Sequence, residues 1–207
     1  MIIAIDGPAA SGKGNIARQL GGHFGYPHLD TGALYRAVGL AMLQENRNID
    51  DSDAAAKVAE NLPLELLDAA EIRTAEVGEA ASKVAVHAAV RKALRGFQER
   101  FAGQSPGAVL DGRDIGTVIC PHADVKLFIT ATVEIRATRR HKELLARGER
   151  IIYARVLADL KVRDQRDATR KEGPLRPADD AFQIDTSDLD IEAAVAAALT
   201  FITSQRT

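Results

Sequence analysis

The chain reads as an α/β protein, a parallel β-sheet flanked by helices, and three observations predict that class. Short apolar runs alternate with longer stretches of helical periodicity along the whole length. The first run, Met1 to Ile5, passes straight into Gly7-Pro-Ala-Ala-Ser-Gly12-Lys13, the spacing of a phosphate-binding loop. From Lys13 onward Ile16, Ala17 and Leu20 recur at helical spacing, so strand, glycine loop and helix follow in the order such a loop needs.

Taken in order, Met1–Ile5 has the unbroken aliphatic character of a buried strand. Gly7, Pro8, Ala9, Ala10, Ser11, Gly12, Lys13, Gly14 and Asn15 make the loop and the start of a helix over Lys13–His23. Backbone N–H groups there would surround a polyphosphate, and Lys13 would set a point charge against its β- and γ-phosphates. Gly14 stands where Ser or Thr usually offers Mg²⁺ a hydroxyl; the amide oxygen of Asn15 would accept from a metal-bound water instead. A short strand is expected near His28–Leu29, then a helix over Gly32–Gln44. Asn46 to Ala70 is polar and interrupted by Pro63, with Leu64-Glu-Leu-Leu67 its strand-like material. Helices over Ile72–Val86 and Ala89–Phe101 precede strands at Ala108–Leu110 and Val125–Ile129. Helices over Val133–Arg147 and Ile151–Asp167 are joined through Gly148 to Arg150, and a proline-bearing loop, Ala168 to Pro177, follows. A strand at Phe182–Ile184 and a helix over Ile191–Ser204 complete the alternation. Ligands of parallel sheets sit at the carboxyl ends of the strands. That rule gathers Gly7–Gly14, Asp30–Arg36 and Asp111–Thr117 in space.

Length and composition narrow the class further. The 207 residues suffice for one domain, 46% are hydrophobic, and only 4% are aromatic, so the core must be aliphatic. No apolar stretch is long enough for a membrane span, and no basic-then-apolar leader opens the chain. Cys120 is alone and cannot close an internal disulfide, which fits a reducing cytoplasm. Charge is uneven: Arg136 to Arg176 holds 13 Lys and Arg against 6 Asp and Glu, a net of +7, leaving −9 elsewhere. Tyr153 is that segment's sole aromatic, so base-stacking on a nucleic acid is disfavoured. An arginine-rich cover over phosphates suits it better. The five histidines are scattered, and no Ser-His-Asp, Cys-His or metal-ligand spacing stands out.

Three further strings carry chemistry. In Leu29-Asp-Thr-Gly-Ala-Leu-Tyr-Arg36, Asp30 or Thr31 would cap the next helix, and Arg36 lies one turn in, where its fork would hold a phosphate. In Val109-Leu-Asp-Gly-Arg-Asp-Ile-Gly-Thr117 an apolar run ends at Asp111, a carboxylate placed to hold water on Mg²⁺ without ligating it directly. Arg113 and Asp114 then give either a phosphate clamp with an acceptor or a solvated ion pair. In Arg163-Asp-Gln-Arg-Asp-Ala-Thr-Arg170, Arg163, Asp167 and Arg170 share one helical face, as a binding stripe or a salt-bridged surface.

Together these strings, with Asp6-Gly-Pro, Ile72-Arg-Thr through Ala81-Ser-Lys-Val84, and Val90-Arg91, make the chain resemble the bacterial cytidylate (CMP/dCMP) kinases from end to end. The resemblance implies a P-loop kinase over residues 1–207, with a short acceptor-binding insert near 46–71 and an arginine-rich lid near 147–155. It implies ATP with Mg²⁺ as phosphoryl donor, CMP and dCMP as acceptors, and a monomer. Ser82, Arg91 and Asp114 would then face the cytosine, whose N4 amino donor suits a carboxylate and whose N3 and O2 acceptors suit Arg and Ser. Arg36, Arg113 and Arg170 would hold the acceptor's phosphate, with Thr31 alongside, and Arg163 and Asp167 would reach the sugar. Lys13, Arg113 and Arg170 would act on the transferred group. Arg136, Arg139, Arg140, Arg147, Arg150 and Arg155 are the lid's candidates. The chain departs from the family at Asn15, in place of threonine, and in its shorter insert. Two other readings compete: a P-loop kinase for a different small acceptor, and a non-catalytic ATP-sensing module.

Overall fold

The computed structural model describes residues 1–205 and holds a five-stranded, wholly parallel sheet in the order β2-β3-β1-β4-β5. Its strands are β1 (Ile2–Asp6), β2 (His28–Asp30), β3 (Ala108–Gly112), β4 (Val125–Thr130) and β5 (Phe182–Asp185). Helix α1 (Lys13–Phe24) follows the glycine loop, and α2 (Thr31–Gln44) follows β2. The stretch between β2 and β3 also carries α3 (Ser52–Glu60), α4 (Ala75–Val84) and α5 (Ala88–Ala102). Beyond β4 come α6 (Val133–Ala146) and α7 (Tyr153–Thr169), and α8 (Ile191–Ser204) closes the chain after β5.

The period-two alternation of β1 builds two cores at once. Ile3 and Ile5 face a cluster with Ile16, Leu20, Leu127 and Ile202, under α1 and α8. Ala4 faces the other way, into a cluster with Leu34, Val38, Val90, Leu94 and Leu110, under α2, α3 and α5. The largest fully buried side chains are all aliphatic or methionine, as the aromatic-poor composition demands. A third, smaller cluster of Ala137, Leu144, Val156 and Leu160 fastens α6 to α7. Cys120 is buried, and burial pushes its thiol up to about 11, consistent with an inert packing role.

The expected strands and most of the expected helices are present; two segments differ. The helix expected over Ile72–Val86 is broken: a 3₁₀ turn at Ala70–Arg73 ends at Thr74, and α4 starts only at Ala75. Thr74 is extended there, and its hydroxyl accepts from Val77 N at 3.3 Å as an N-cap. Between Asn46 and Ala70 there is a helix, α3, where sequence patterning is weak because its buried residues are alanines, Ala55, Ala56 and Ala59. Asp51 caps it by accepting from Asp53 N and Ala54 N. Leu64–Asp68 is a 3₁₀ turn rather than strand-like: Leu66 N reaches back to Pro63 O at 3.1 Å, and the segment pairs with no strand.

Candidate functional site

Register decides what meets at the carboxyl end of the sheet. Asp6 pairs with Gly112, and Asp30 pairs with Asp111, so the ends of β1, β2 and β3 stand level. The glycine loop leaves β1 at that edge. A Cβ on Gly7 would run into the Ile129 carbonyl, so the loop can pass β4 only with a glycine there. Gly12 takes φ +92° as the cap of α1, which turns the loop's N–H groups inward. Three contacts brace it from behind. Thr186 Oγ1 lies 2.9 Å from Ser11 O, Arg139 Nη1 donates to Thr186 Oγ1 at 2.9 Å, and Arg136 Nη1 donates to Ala9 O at 3.3 Å.

Over this loop lies a cavity of about 210 Å³, lined by Ala9 to Asn15 together with Arg36, Arg73, Asp111, Arg113, Arg140 and Arg163. Lys13 and Arg113, distant in sequence, thus face the same space. Burial, then the charge of Arg113, brings Lys13 down to about 8, although Asp111 and Asp30 oppose the fall. Burial, Arg163 and Arg140 bring Arg36 to about 9, and burial with Arg113 brings Arg163 to about 10. Cations that depress one another in this way gain from an anion of several charges set among them. Among the described residues the buried Nε of Arg163 has no hydrogen-bond partner.

Asp111, next to last in β3, lines the cavity. Its Oδ2 lies 3.8 Å from Lys13 Nζ, and His28 Nε2 meets its Oδ1 at 2.7 Å. Thr31 Oγ1 donates to the Asp111 carbonyl at 2.8 Å, which leaves that hydroxyl only lone pairs to offer a ligand. Of the two cap candidates for α2 it is Asp30 that serves, accepting from Ala33 N at 3.2 Å. Asn15 Oδ1 accepts from Arg18 Nη1 at 3.1 Å and still borders the cavity.

Beside the phosphate cavity is a narrow recess of about 40 Å³ that shares Gly32, Arg113 and Arg163 with it. Ser82, Arg91, Asp114, Asp167 and Arg170 line the remainder, with Thr31 and Tyr35. Arg91 Nη2 donates to Asp114 Oδ2, Arg91 Nη1 to Tyr35 Oη at 3.3 Å, and Arg170 Nη2 to Asp114 Oδ1 at 3.3 Å. Burial raises the Asp114 carboxyl in spite of those two arginines. Burial acts on Asp167 likewise, yet Arg113, Arg163 and Arg170 outweigh it and hold that carboxyl low. Arg113 Nε donates to Asp167 Oδ2 at 2.9 Å.

The structure distributes the arginines differently from the sequence reading in two respects. Arg170, expected with the phosphates, donates from Nε to Gly173 O at 2.6 Å and faces Asp114, outside the lining of the phosphate cavity. Arg136, a lid candidate, is buried against the loop and forms a two-bonded pair with Asp164 at 3.1 and 2.6 Å. Arg139 also serves the loop's backbone, whereas Arg140 borders the cavity and donates to the Arg73 and Thr74 carbonyls. Arg155 is exposed, paired with Asp159 one turn on.

Three side chains around the site have partners that their own stretches of sequence do not reveal. His28 was one scattered histidine among five. Asp6 accepts from Ile115 N at 2.7 Å and Gly116 N at 2.8 Å, which ties the Arg113–Asp114 loop to the strand that launches the glycine loop. Burial pushes its carboxyl up to about 7 against those two N–H bonds. Arg166 donates to Ser82 Oγ at 2.6 Å. Only a map of contacts across the sheet could find them.

Since the cavity over the loop and the recess beside it adjoin through Arg113 and Arg163, the fold and site define a P-loop kinase. Comparison with known proteins narrows the class. The sequence model of cytidylate kinase matches residues 3–204. A cytidylate kinase of Xanthobacter autotrophicus is 56% identical over 206 residues, covering 100% of this chain and 99% of that protein. One from Methylocella silvestris is 56% identical over 204 residues, covering 99% and 94%, and one from Brucella suis 55% over 197 residues, covering 95% and 90%. The chain belongs to the cytidylate kinase family. Among solved structures, an uncharacterized protein from Eubacterium ventriosum superposes with a TM-score of 0.56 at 16% identity, covering 99% of each chain, a likeness of fold alone.

Proposed function

We infer that the protein transfers the γ-phosphoryl group of ATP to the phosphate of CMP and dCMP, giving CDP and dCDP. The observation that carries this reading is the shared wall of the two cavities: Arg113 and Arg163 border both the phosphate space and the recess that holds Asp114, Arg91 and Ser82. The glycine loop and Lys13 would grip the donor's phosphates. Asp114 would accept from the cytosine N4 amino group, while Arg91 and Ser82 would donate to its N3 and O2. Arg163 and Asp167 would meet the sugar, and Arg36 and Arg113 the acceptor's phosphate. A single chain supplies both cavities, so a monomer suffices for the reaction.

The attacking atom would be a phosphate oxygen that is already anionic near neutral pH, so no general base is required. Catalysis would come from holding the two phosphates in line and from cationic groups that need not reorganise as charge spreads over the transferred group. Mg²⁺ would be carried mainly by the phosphates and water. Asp111, a buried carboxylate within 4 Å of a Cβ built on Gly14, and Asn15 would hold that ion's water, and the ion would supply neutralising charge.

An acceptor panel with ADP release as the readout tests the assignment. CMP and dCMP should be turned over in preference to UMP, AMP and shikimate. Preference for UMP or AMP would remove the assignment, and ATP binding without turnover on any acceptor would favour the sensing module.

A further inference from the structure

We propose that Arg166 is a positioning residue for base recognition: it fixes the Ser82 hydroxyl as a hydrogen-bond donor aimed into the base recess. The proposal rests on the reading of Ser82 as a base contact. Arg166 lies on α7 between Arg163 and Arg170, one turn from each, on the stripe that faces α4. Across the gap, Glu79 and Ser82 are one turn apart on α4 and present one face. The Arg166 guanidinium meets both. Its Nη2 donates to Glu79 Oε1 at 2.8 Å, and its Nη1 to Glu79 Oε2 at 3.2 Å and to Ser82 Oγ at 2.6 Å.

A guanidinium can only donate. Ser82 Oγ is therefore the acceptor in this bond, and its own hydrogen must point elsewhere. Ser82 is buried and lines the recess, and among the described residues the hydroxyl's hydrogen-bond partner is Arg166. The hydroxyl hydrogen is thus left for the recess. A charged donor behind the oxygen also polarises the O–H and strengthens it as a donor. Cytosine offers acceptors at O2 and N3, whereas uracil presents a donor at N3. Both rings accept at O2, so the discrimination lies at N3: an unpositioned serine could turn to suit either ring there, whereas one held by Arg166 as a donor suits only cytosine. Glu79 is half exposed, so its pair with Arg166 contributes little stability. Its bidentate grip sets the direction of the guanidinium.

The test is a double-mutant cycle of Arg166→Met and Ser82→Ala, with kcat and KM measured for CMP, UMP and ATP. Arg166→Met should lower kcat/KM for CMP about 10-fold, chiefly through KM, and narrow the CMP-to-UMP ratio. KM for ATP should hold steady, which a general loosening of α7 would not allow. On the Ser82→Ala background the same change should cost less than about two-fold. Arg166→Lys, which keeps a donor for Ser82, should recover part of the ratio and serves if the Met variant folds poorly. A full 10-fold loss on a Ser82→Ala background that is itself impaired would overturn this inference alone. Unaltered CMP kinetics in Ser82→Ala would overturn it together with the assignment of Ser82.

Discussion

Asp114 offers the most searching prediction, and the structure determines which substitution can be read. Its carboxylate is buried between Arg91 and Arg170. Truncation to alanine would strand both guanidiniums, a loss of about 3–5 kcal/mol that would confuse specificity with unfolding. Asp114→Asn keeps the volume and one acceptor oxygen. A hydrogen bond to an ionised group contributes about 1.5–3 kcal/mol, so removing the charge should cost CMP about 10- to 150-fold in kcat/KM. UMP should gain, since its O4 facing a carboxylate is acceptor against acceptor, a mismatch of about 1–3 kcal/mol that an amide NH₂ relieves. Adding the lower bounds, the CMP-to-UMP ratio should fall by about 60-fold or more. Initial rates of ADP release over a range of each acceptor give the ratio, and a melting curve confirms the fold. A folded variant whose ratio stays within about two-fold of the parent would show that Asp114 does not read the amino group. Acidification gives an independent check. Burial lifts the Asp114 carboxyl above its ordinary range, so as pH falls it takes a proton, one oxygen becomes a donor, and the ratio should narrow.

Other expectations follow from the phosphate cavity. Lys13→Met should reduce kcat by about 1,000-fold or more while melting stays near the parent's, because Asp111 retains His28 as a partner; undiminished turnover would contradict the loop assignment. Lys13 in the free protein loses its proton near pH 8, far below an ordinary lysine. Bound phosphates favour its charged form, so KM for ATP should rise with pH above that point, and a KM flat to pH 10 would show that Lys13 keeps its proton in the free protein. Asn15→Thr should leave turnover intact or raise it at limiting Mg²⁺; a large loss would mean that the Asn15 bond to Arg18 matters to the loop.

What was legible in the sequence is what is local in the chain. A glycine loop between a strand and a helix is contiguous, and its chemistry lies in backbone N–H groups, so Gly7 to Asn15 could be read directly. The cap of α2 is narrowed there to Asp30 or Thr31, and Met1–Ile5 is legible as a buried strand, but which residue caps and which face each isoleucine takes came from the structure. The weakly patterned α3 escaped because alanines carry little periodic signal. The break at Thr74 escaped because no Gly or Pro marks it between Ile72 and Val77.

Tertiary structure alone decided which like residues do which work. Arg136, Arg139 and Arg140 are near neighbours on one helix, yet two brace the glycine loop from outside and one lines the cavity over it. Each residue turns the side chain by about 100°, and only the packing of α6 fixes where those directions fall. His28 finds Asp111 across 83 residues, Arg166 finds Ser82 across 84, and Asp6 finds Ile115 across 109. Such partners leave no spacing in the chain because the sheet register and helix packing bring them together. The sequence by itself set the strand–loop–helix and the kind of ligand it would grip; the assembled sheet set which carboxylate, hydroxyl and guanidinium stand within bonding distance.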